Sequence, residues 1–243
     1  MLRDNQDAYG HELLAHLDGI PATEIIERDD GFVDTSSGPA AYFADADTWT
    51  DWERQAMTYV RGRVLDIGSG AGRHALYLQD RRHDVVCIDN SPLALEVCRR
   101  RGVKDTRPCP ITQVGPQLGM FDTILMWGNN FGLLASRKQA PRLLKRFARI
   151  TTPDGRIVAQ TNNPYATTDP AHLAYHERNR KRGRMPGQIR LRVRYNAYCT
   201  PWFDYLMVSP EEMAEIVAET PWRIGHILGE PAKGGYAAVL EKP

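Results

Sequence analysis

The strongest constraint on this chain is a short apolar run that ends in a glycine-rich turn. Residues 63–67 read Arg-Val-Leu-Asp-Ile, and three glycines follow at alternate positions, Gly68, Gly70 and Gly72. A brief run with β-branched residues is typical of a strand that is buried on both faces. Glycine accepts positive φ and leaves room for a ligand beside the backbone. Because residues 73–79 have helical spacing, the segment predicts a strand, a turn and a helix whose free N–H groups face the turn.

The glycine spacing does not match a dinucleotide site. A pyrophosphate-binding turn follows the pattern G-x-G-x-x-G, whereas Arg73 stands here where the last glycine would be. Asp66, two residues before the first glycine, would repel a pyrophosphate but suits a ligand that carries an ammonium group. A second buried run, residues 84–89, ends in Asp89, whose carboxylate can accept hydrogen bonds from both hydroxyls of a ribose.

Together these stretches resemble the class I S-adenosylmethionine-dependent methyltransferases of the small-molecule type. The resemblance covers residues 60–161 and 209–241. It implies an α/β fold with a Rossmann-like, seven-stranded, mostly parallel sheet, helices on both faces and an antiparallel last strand. It also implies S-adenosylmethionine as the cofactor. Residues 162–208 lie outside the resemblance and are expected to form an inserted β-hairpin lid.

The resemblance assigns individual cofactor contacts. Asp66 is expected to meet the ammonium group of the ligand, Arg73 its carboxylate and Asp89 its ribose. The alternatives are that Asp66 only caps backbone N–H groups and that Arg73 is solvated. The aromatic segment 41–60 would lie across the cofactor as a lid, unless its side chains simply pack on the sheet. The expected cofactor contacts are Tyr42, Trp49, Asp66, Gly68, Ser69, Gly70, Arg73, Asp89, Asn90, Ile111, Thr112, Trp127 and Gly128.

The remaining segments supply further elements of the sheet. Ser91 and Pro92 are typical of a helix start, since Ser can cap and Pro suits the first helical position. Ser209 begins another helix, with acidic residues in its first turn. Residues 138–150 form an amphipathic helix, and 152–155 form a turn. Further strands are predicted at 105–109, 121–127, 156–161, 222–228 and 236–240. The first 38 residues are polar, with helical spacing at 11–17 and turns at 29–31 and 36–39.

Methyl transfer from a sulfonium is an in-line displacement that needs alignment, exclusion of water and, for some acceptors, a base. Asn129 and Asn130 follow the predicted fourth strand, where ligands bind in open α/β sheets, and could hold a substrate or only cap a turn. We place His176 and Tyr195 with them as catalytic candidates. The candidates for a general base, or for a residue that holds the substrate in place, are Tyr165, His172, Tyr175, His176, Tyr195 and Trp202. Each of them could equally belong to the core of the hairpin. We expect no metal, because the spacing of His172 and His176 has no evident third ligand.

Residues 162–208 interrupt the alternation of strands and helices. Residues 189–195 alternate apolar and basic side chains and predict a strand with one buried face, paired with 202–208 over the mouth of the active site. We therefore divide the chain into a lead-in and cofactor lid (1–60) and a methyltransferase domain (61–243).

The basic residues between Arg178 and Arg194 allow three interpretations: contact with an anionic substrate, contact with RNA, or a solvated face with internal ion pairs.

Composition narrows the functional classes. The net charge of +1 exerts no general attraction toward nucleic acid or an anionic membrane, and the apolar runs are only strand-sized. The first residues lack the apolar core of a secretory signal, and four widely spaced cysteines indicate reduced thiols in a cytoplasm. We expect a cytoplasmic transferase that methylates a nitrogen or oxygen of a small molecule. The alternatives are an RNA or protein methyltransferase, or a non-catalytic partner subunit that binds the cofactor.

Overall fold

The computed structural model describes residues 1–35 and 38–243, so Ser36 and Ser37 of one predicted turn lie outside the described residues. Twelve strands are present in this part of the chain. They are β1 (Ile25–Arg28), β2 (Val33–Thr35), β3 (Arg63–Ile67), β4 (Asp84–Asp89), β5 (Asp105–Pro108), β6 (Phe121–Met126), β7 (Thr151–Asn162), β8 (Gln188–Tyr195), β9 (Tyr198–Cys199), β10 (Phe203–Leu206), β11 (Arg223–Gly229) and β12 (Gly235–Glu241).

Eight α-helices accompany the strands in the described residues. They are α1 (Ala8–Leu17), α2 (Ala40–Phe43), α3 (Asp51–Met57), α4 (Arg73–Asp80), α5 (Pro92–Arg101), α6 (Ala140–Ala148), α7 (Pro170–Lys181) and α8 (Pro210–Val217). Ser91 and Ser209 cap α5 and α8 as predicted, and Ser209 with Glu212 forms a complete capping box. In the described residues no helix is long and apolar enough to cross a membrane.

A seven-stranded sheet in the order β11-β12-β7-β6-β3-β4-β5 forms the centre of the molecule. The five strands from β5 to β7 pair in parallel, and β12 runs antiparallel to both of its neighbours. One apolar core lies between this sheet and helices α6 and α8, and another lies between the sheet and helices α3 and α4. The predicted α/β fold, with helices on both faces and antiparallel closing strands, is confirmed.

A second, smaller sheet stands over the first and has the order β10-β8-β1-β2, with β9 paired to β8. The antiparallel pair β8–β10 is the hairpin predicted from the alternating residues. The contribution of β1 and β2 was not predicted, nor was helix α7. N-terminal strand β1 pairs with β8, so two segments far apart in the chain build one sheet.

Two boundaries differ from the sequence prediction. Strand β7 begins at Thr151, so the predicted turn 152–155 lies inside the strand, where the pairing with β6 is irregular. The lead-in 41–60 is only partly helical, because α2 and α3 are short and separated by a 3-10 turn.

Candidate active site

A cavity of about 940 Å³ lies between the carboxyl ends of the central strands and the second sheet. The turn after β3, the end of β4 and the loop after β6 line one half of it. Residues of β1, β8 and β10 line the other half. The first half holds the residues predicted to bind the cofactor, and we call the second the acceptor half.

The glycine turn is held in shape by backbone hydrogen bonds. The N–H of Gly68 donates to the carbonyl of Ile88 at 2.8 Å, which ties the turn to β4. Gly68, Gly70 and Gly72 have φ of 71°, 54° and 75°, a region that side chains other than glycine rarely adopt. A Cβ on Gly70 would lie 2.6 Å from the hydroxyl of Tyr9. The absence of side chains here therefore keeps the turn open to a ligand.

Asp89 ends β4 at the wall of the cavity and is only 8% exposed. Its Oδ2 accepts the N–H of Gly70 at 3.2 Å, and its Oδ1 accepts the N–H of Ser91 at 2.9 Å. Burial raises the pKa of Asp89 to about 6, while these N–H donors oppose the increase. A carboxylate has about four acceptor sites, so Asp89 can still accept hydroxyl groups from a ligand in the cavity.

Asp66 lies beside the same turn and is 3% exposed. No described residue donates a hydrogen bond to its carboxyl group in the structure. Burial, followed by the nearby charge of Asp89, raises the pKa of Asp66 to about 7, and Arg73 opposes this effect. A buried carboxyl group without a donor is costly, and a cationic ligand group would satisfy it. This observation fits the ammonium group of S-adenosylmethionine.

Arg73 opens α4 and lines the cavity, but its guanidinium is already paired. It donates to Glu53 at 2.6 Å, and the same carboxylate oxygen lies 2.9 Å from Nε2 of His74. Burial lowers the pKa of His74 to about 4, so His74 is neutral at physiological pH and supports Glu53 as a structural partner. Trp49 stacks against both Arg73 and His74.

The two asparagines after β6 bind backbone groups. Asn130 donates from Nδ2 to the carbonyls of Ile67 and Gly68, at 2.9 and 2.8 Å, and thereby fixes the glycine turn. Asn129 accepts the N–H of Asn162 at 2.9 Å and has a positive φ of 67°. Both residues line the cavity, and Asn129 makes no side-chain capping hydrogen bond to the 3-10 turn that it precedes.

Most residues predicted for the site meet in this cavity. Of the cofactor candidates, all but Trp49 line it, and of the catalytic candidates Asn129, Asn130 and His176 do. Trp49 is 4% exposed in the core against α4, because its indole packs behind Arg73. Tyr195 lies at the end of β8, beyond the lining residues of that strand, and is buried. The structure brings neither Trp49 nor Tyr195 to the site.

The other suggested bases differ in their surroundings. Tyr175 donates to Asp29 at 2.6 Å, and burial raises its pKa to about 12. His176 lines the cavity, and burial lowers its pKa. Tyr165 donates to Glu212, and Trp202 lies outside the cavity under Arg192. His172 lines the cavity with its Nδ1 beside the hydroxyl of Thr167. In the described residues no group of three or more metal-ligating side chains is present.

Six arginines of the basic cluster pair with three carboxylates of the same chain, which balance part of their charge. Asp29 pairs with two of its arginines, Asp204 with two more and Glu27 with another two. The pairs are Arg178–Asp29, Arg182–Asp29, Arg184–Asp204, Arg190–Asp204, Arg192–Glu27 and Arg194–Glu27. This pattern agrees with the interpretation that the cluster forms internal ion pairs.

Sequence reasoning missed several residues that line the cavity, including two tyrosines. Tyr42 was predicted, whereas Tyr9, Glu24, Tyr205 and Phe203 were not. Tyr205 donates to the backbone carbonyl of Asn129 at 2.5 Å, which joins β10 to the loop after β6. The signal for Glu24 was present in the alternation of Glu24, Ile26 and Arg28 before a predicted turn, since alternate residues of a strand share one face.

Comparisons with known proteins agree with this geometry. A family model described as a methyltransferase domain matches residues 64–155. Glycine/sarcosine N-methyltransferase of Halorhodospira halochloris is 28% identical over 55% of this chain and 53% of its own length. The putative methyltransferase YqeM of Bacillus subtilis is 22% identical over 50% of this chain and 51% of its own. This chain therefore spans about half the length of these curated relatives.

The match to a solved structure extends further. A SAM-dependent methyltransferase from Bacteroides fragilis, solved in complex with S-adenosyl-L-homocysteine, is 25% identical with a TM-score of 0.84. The alignment covers 100% of this chain and 97% of the other, so both the sheet and the elements over it have counterparts there.

Proposed function

We propose that this chain is a class I S-adenosylmethionine-dependent methyltransferase and that it transfers a methyl group from S-adenosylmethionine to a nitrogen of a small molecule. Oxygen is the second acceptor atom that this chemistry allows. The observation that carries the proposal is the pair of buried carboxyl groups, Asp66 and Asp89, on either side of one open glycine turn.

The residues present fit this methyl donor. Asp89 would accept the ribose hydroxyls, Asp66 would meet the ammonium group, and the glycines would leave room beside the backbone. When bound, S-adenosylmethionine supplies an electrophilic methyl group, whose transfer forms a bond to the acceptor while the sulfur keeps the electron pair of the broken bond. The chain itself has to align the acceptor and exclude water.

The N-terminal segment supports a covering role over the cofactor half. The N–H of Leu2 donates to the carbonyl of Asn90 at 3.0 Å, next to Asp89. Tyr9 of α1 and Tyr42 of α2 also line the cavity. We assign residues 1–60 as the cofactor lid and residues 61–243 as the methyltransferase domain, with 162–208 as the substrate-side insertion.

Two observations favour a small-molecule acceptor. The cavity lies between two sheets, and arginines of the basic cluster are engaged in ion pairs with carboxylates of the same chain. The curated relative of Halorhodospira halochloris is named for methylation of nitrogen in glycine and sarcosine, which supports nitrogen as the acceptor atom.

The test measures S-adenosylhomocysteine formed from S-adenosylmethionine in the presence of separate panels of small amines, small alcohols, total RNA and unfolded protein. We expect turnover with members of the amine panel and none above background with RNA or protein. Turnover only with RNA or protein would refute the small-molecule assignment. Absence of turnover with every panel would favour a partner subunit that binds the cofactor without catalysis.

A further inference from the structure

The acceptor half of the cavity has one wall made by a single face of the second sheet. Ile26 of β1 pairs with Val193 of β8, and both line the cavity. In the next rows Leu191 lies between Arg28 and Phe203, and Ile189 lies opposite Tyr205. Because alternate residues share a face of a strand, this wall is mainly aliphatic and aromatic. The wall therefore suits a substrate whose main part is apolar rather than one that is strongly polar throughout.

The polar side chains Arg28 and Tyr205 of this wall already form hydrogen bonds with other residues of the chain. Arg28 donates twice to Asp30, at 2.8 Å, and lies over the rings of Phe32 and Tyr175. Tyr205 donates to the loop after β6. Arg28, the arginine in this wall, is thus neutralised and is a poor partner for an anionic acceptor.

Glu24 stands at the start of this wall, immediately before β1, and is 3% exposed. The hydroxyl of Tyr42 lies 3.3 and 3.5 Å from its two oxygens, so that Tyr42 donates a long, shared hydrogen bond. Glu24 therefore has a partner in the structure. A carboxylate has about four acceptor sites, which leaves it able to accept from a ligand as well.

A second carboxyl group lies behind the first. Glu12 of α1 is fully buried, and neither of its oxygens has a hydrogen-bond partner among the described residues. Burial, followed by the charge of Glu24, raises the pKa of Glu12 to about 8. The two groups repel each other when both are charged, so this end of the cavity disfavours an anion and stabilises a cation.

We propose that Glu24 makes the enzyme selective for a primary or secondary amine carried on an apolar or aromatic body, and that it accepts the proton of the bound ammonium ion. The inference rests on the proposed function and names the substrate class of that site. An ammonium nitrogen has no free lone pair, so it must lose one proton before it can form a bond to the methyl carbon. Glu24 takes that proton and later releases it to water, while the methylated nitrogen leaves as an ammonium ion.

The test uses isothermal titration calorimetry on the full chain saturated with S-adenosylhomocysteine. The probes are matched pairs with the same body: phenethylamine and 3-phenylpropionate, and tryptamine and indole-3-propionate. We expect the amines to bind at least about tenfold more tightly than their acids, because a charged hydrogen bond is gained only by the amine. Glu24→Gln is expected to weaken amine binding by about tenfold or more, whereas Glu24→Asp retains it better than Gln does.

Glu27→Gln is the matched control. Glu27 lies in β1, three residues after Glu24, but it pairs with Arg192 and Arg194 and does not line the cavity. We expect this variant to bind the amines as the wild type does. The inference would be overturned by any of three results: unchanged amine binding in Glu24→Gln, acids that bind as tightly as their amines, or no amine binding at all. If the wild type binds S-adenosylhomocysteine but the amine inference fails, the cofactor part of the proposed function is retained. If the wild type does not bind S-adenosylhomocysteine, the proposed function itself fails.

Discussion

Two buried carboxyl groups decide what the cofactor half of the cavity can bind. Asp89 is stabilised by two backbone N–H groups, whereas Asp66 has no donor from the described residues and has the higher pKa. The difference is physical, because burial penalises both charges but only Asp89 receives compensating hydrogen bonds. Asp66 is thus costly to ionise in the free protein and is stabilised by a cationic ligand.

This cost makes the stability of the free protein depend on pH. A carboxyl group whose pKa is raised by folding stabilises the folded state at low pH, and that contribution is lost as pH rises through the folded pKa. Asp66→Asn removes the effect, so its free energy of unfolding should increase relative to the wild type between about pH 4 and about pH 8, by on the order of 3 kcal/mol. Urea denaturation across this range measures the difference.

The exposed Asp84, at the other end of β4, supplies the control. Asp84→Asn should show no comparable trend with pH, because its side chain is two-thirds exposed. A difference for Asp66→Asn that stays constant over the range would contradict the assigned desolvation.

Substitution of Gly70 tests whether the glycine turn lies close to the bound ligand. Gly70→Ala adds both left-handed strain and a Cβ 2.6 Å from the hydroxyl of Tyr9, whereas Gly183→Ala adds similar strain at φ 66° with no atom within 4 Å. Strain of about 1–2 kcal/mol should lower the stability of both variants. Only Gly70→Ala should also lose affinity for S-adenosylhomocysteine, by about tenfold. Equal affinities in the two variants would show that the turn does not approach the ligand.

At the scale of elements, Asp7 joins two helices over the cofactor half. Its Oδ1 accepts the N–H of Gly10 in α1, and its Oδ2 accepts the N–H of Leu93 in α5, both at 3.1 Å. One buried side chain therefore caps α1 and anchors it to the helix that follows Asp89.

We expect Asp7→Ala to destabilise the protein by about 1–2 kcal/mol, since two N–H groups lose their acceptor. Hydrogen exchange should become faster in α1 and in the first turn of α5. Asp4→Ala is the control, because the Asp4 side chain is 77% exposed and pairs with His11 rather than with α5. If exchange in α5 is unaffected, the two helices are not coupled through Asp7.

The elements that were predicted correctly carry local signals. The bounds of β3 and β4 match their apolar runs, and Ser91 and Gly102 mark both ends of α5. Strands β1 and β2 have no such signal: β2 has three exposed residues, and β1 is stabilised by pairing with β8. The partners Glu27 and Arg192 are 165 residues apart. Pairing over that distance is a tertiary effect that local pattern cannot reveal.

At the scale of the whole molecule, the cavity is a product of two sheets. The cofactor half was predictable because the carboxyl ends of neighbouring parallel strands meet at one edge of a sheet. The acceptor half was not, because Glu24 and Tyr205 come together only once the second sheet has formed. Trp49 and Tyr195 were misplaced for a related reason: an aromatic residue in sequence does not reveal whether it faces a cavity or a core.

A ligand that bridges these parts should stabilise the whole chain. At about one hundred times its Kd, S-adenosylhomocysteine should add about 2.7 kcal/mol to the free energy of unfolding. Hydrogen exchange should slow both in the glycine turn and in the N-terminal segment that contains Leu2 and Tyr9. Protection of the turn without the N-terminal segment would contradict the assignment of residues 1–60 as a lid.

The central claim is that Asp89 and the glycine turn hold the adenosine part of the methyl donor. Calorimetric titration of S-adenosylhomocysteine into the wild type, Asp89→Ala and the control Asp84→Ala, with folding verified by circular dichroism, tests it most directly. We predict tight binding to the wild type and to Asp84→Ala, and a loss of at least about a hundredfold in Asp89→Ala, since two hydrogen bonds to a charged group are removed. Equal affinity in all three proteins would contradict the claim.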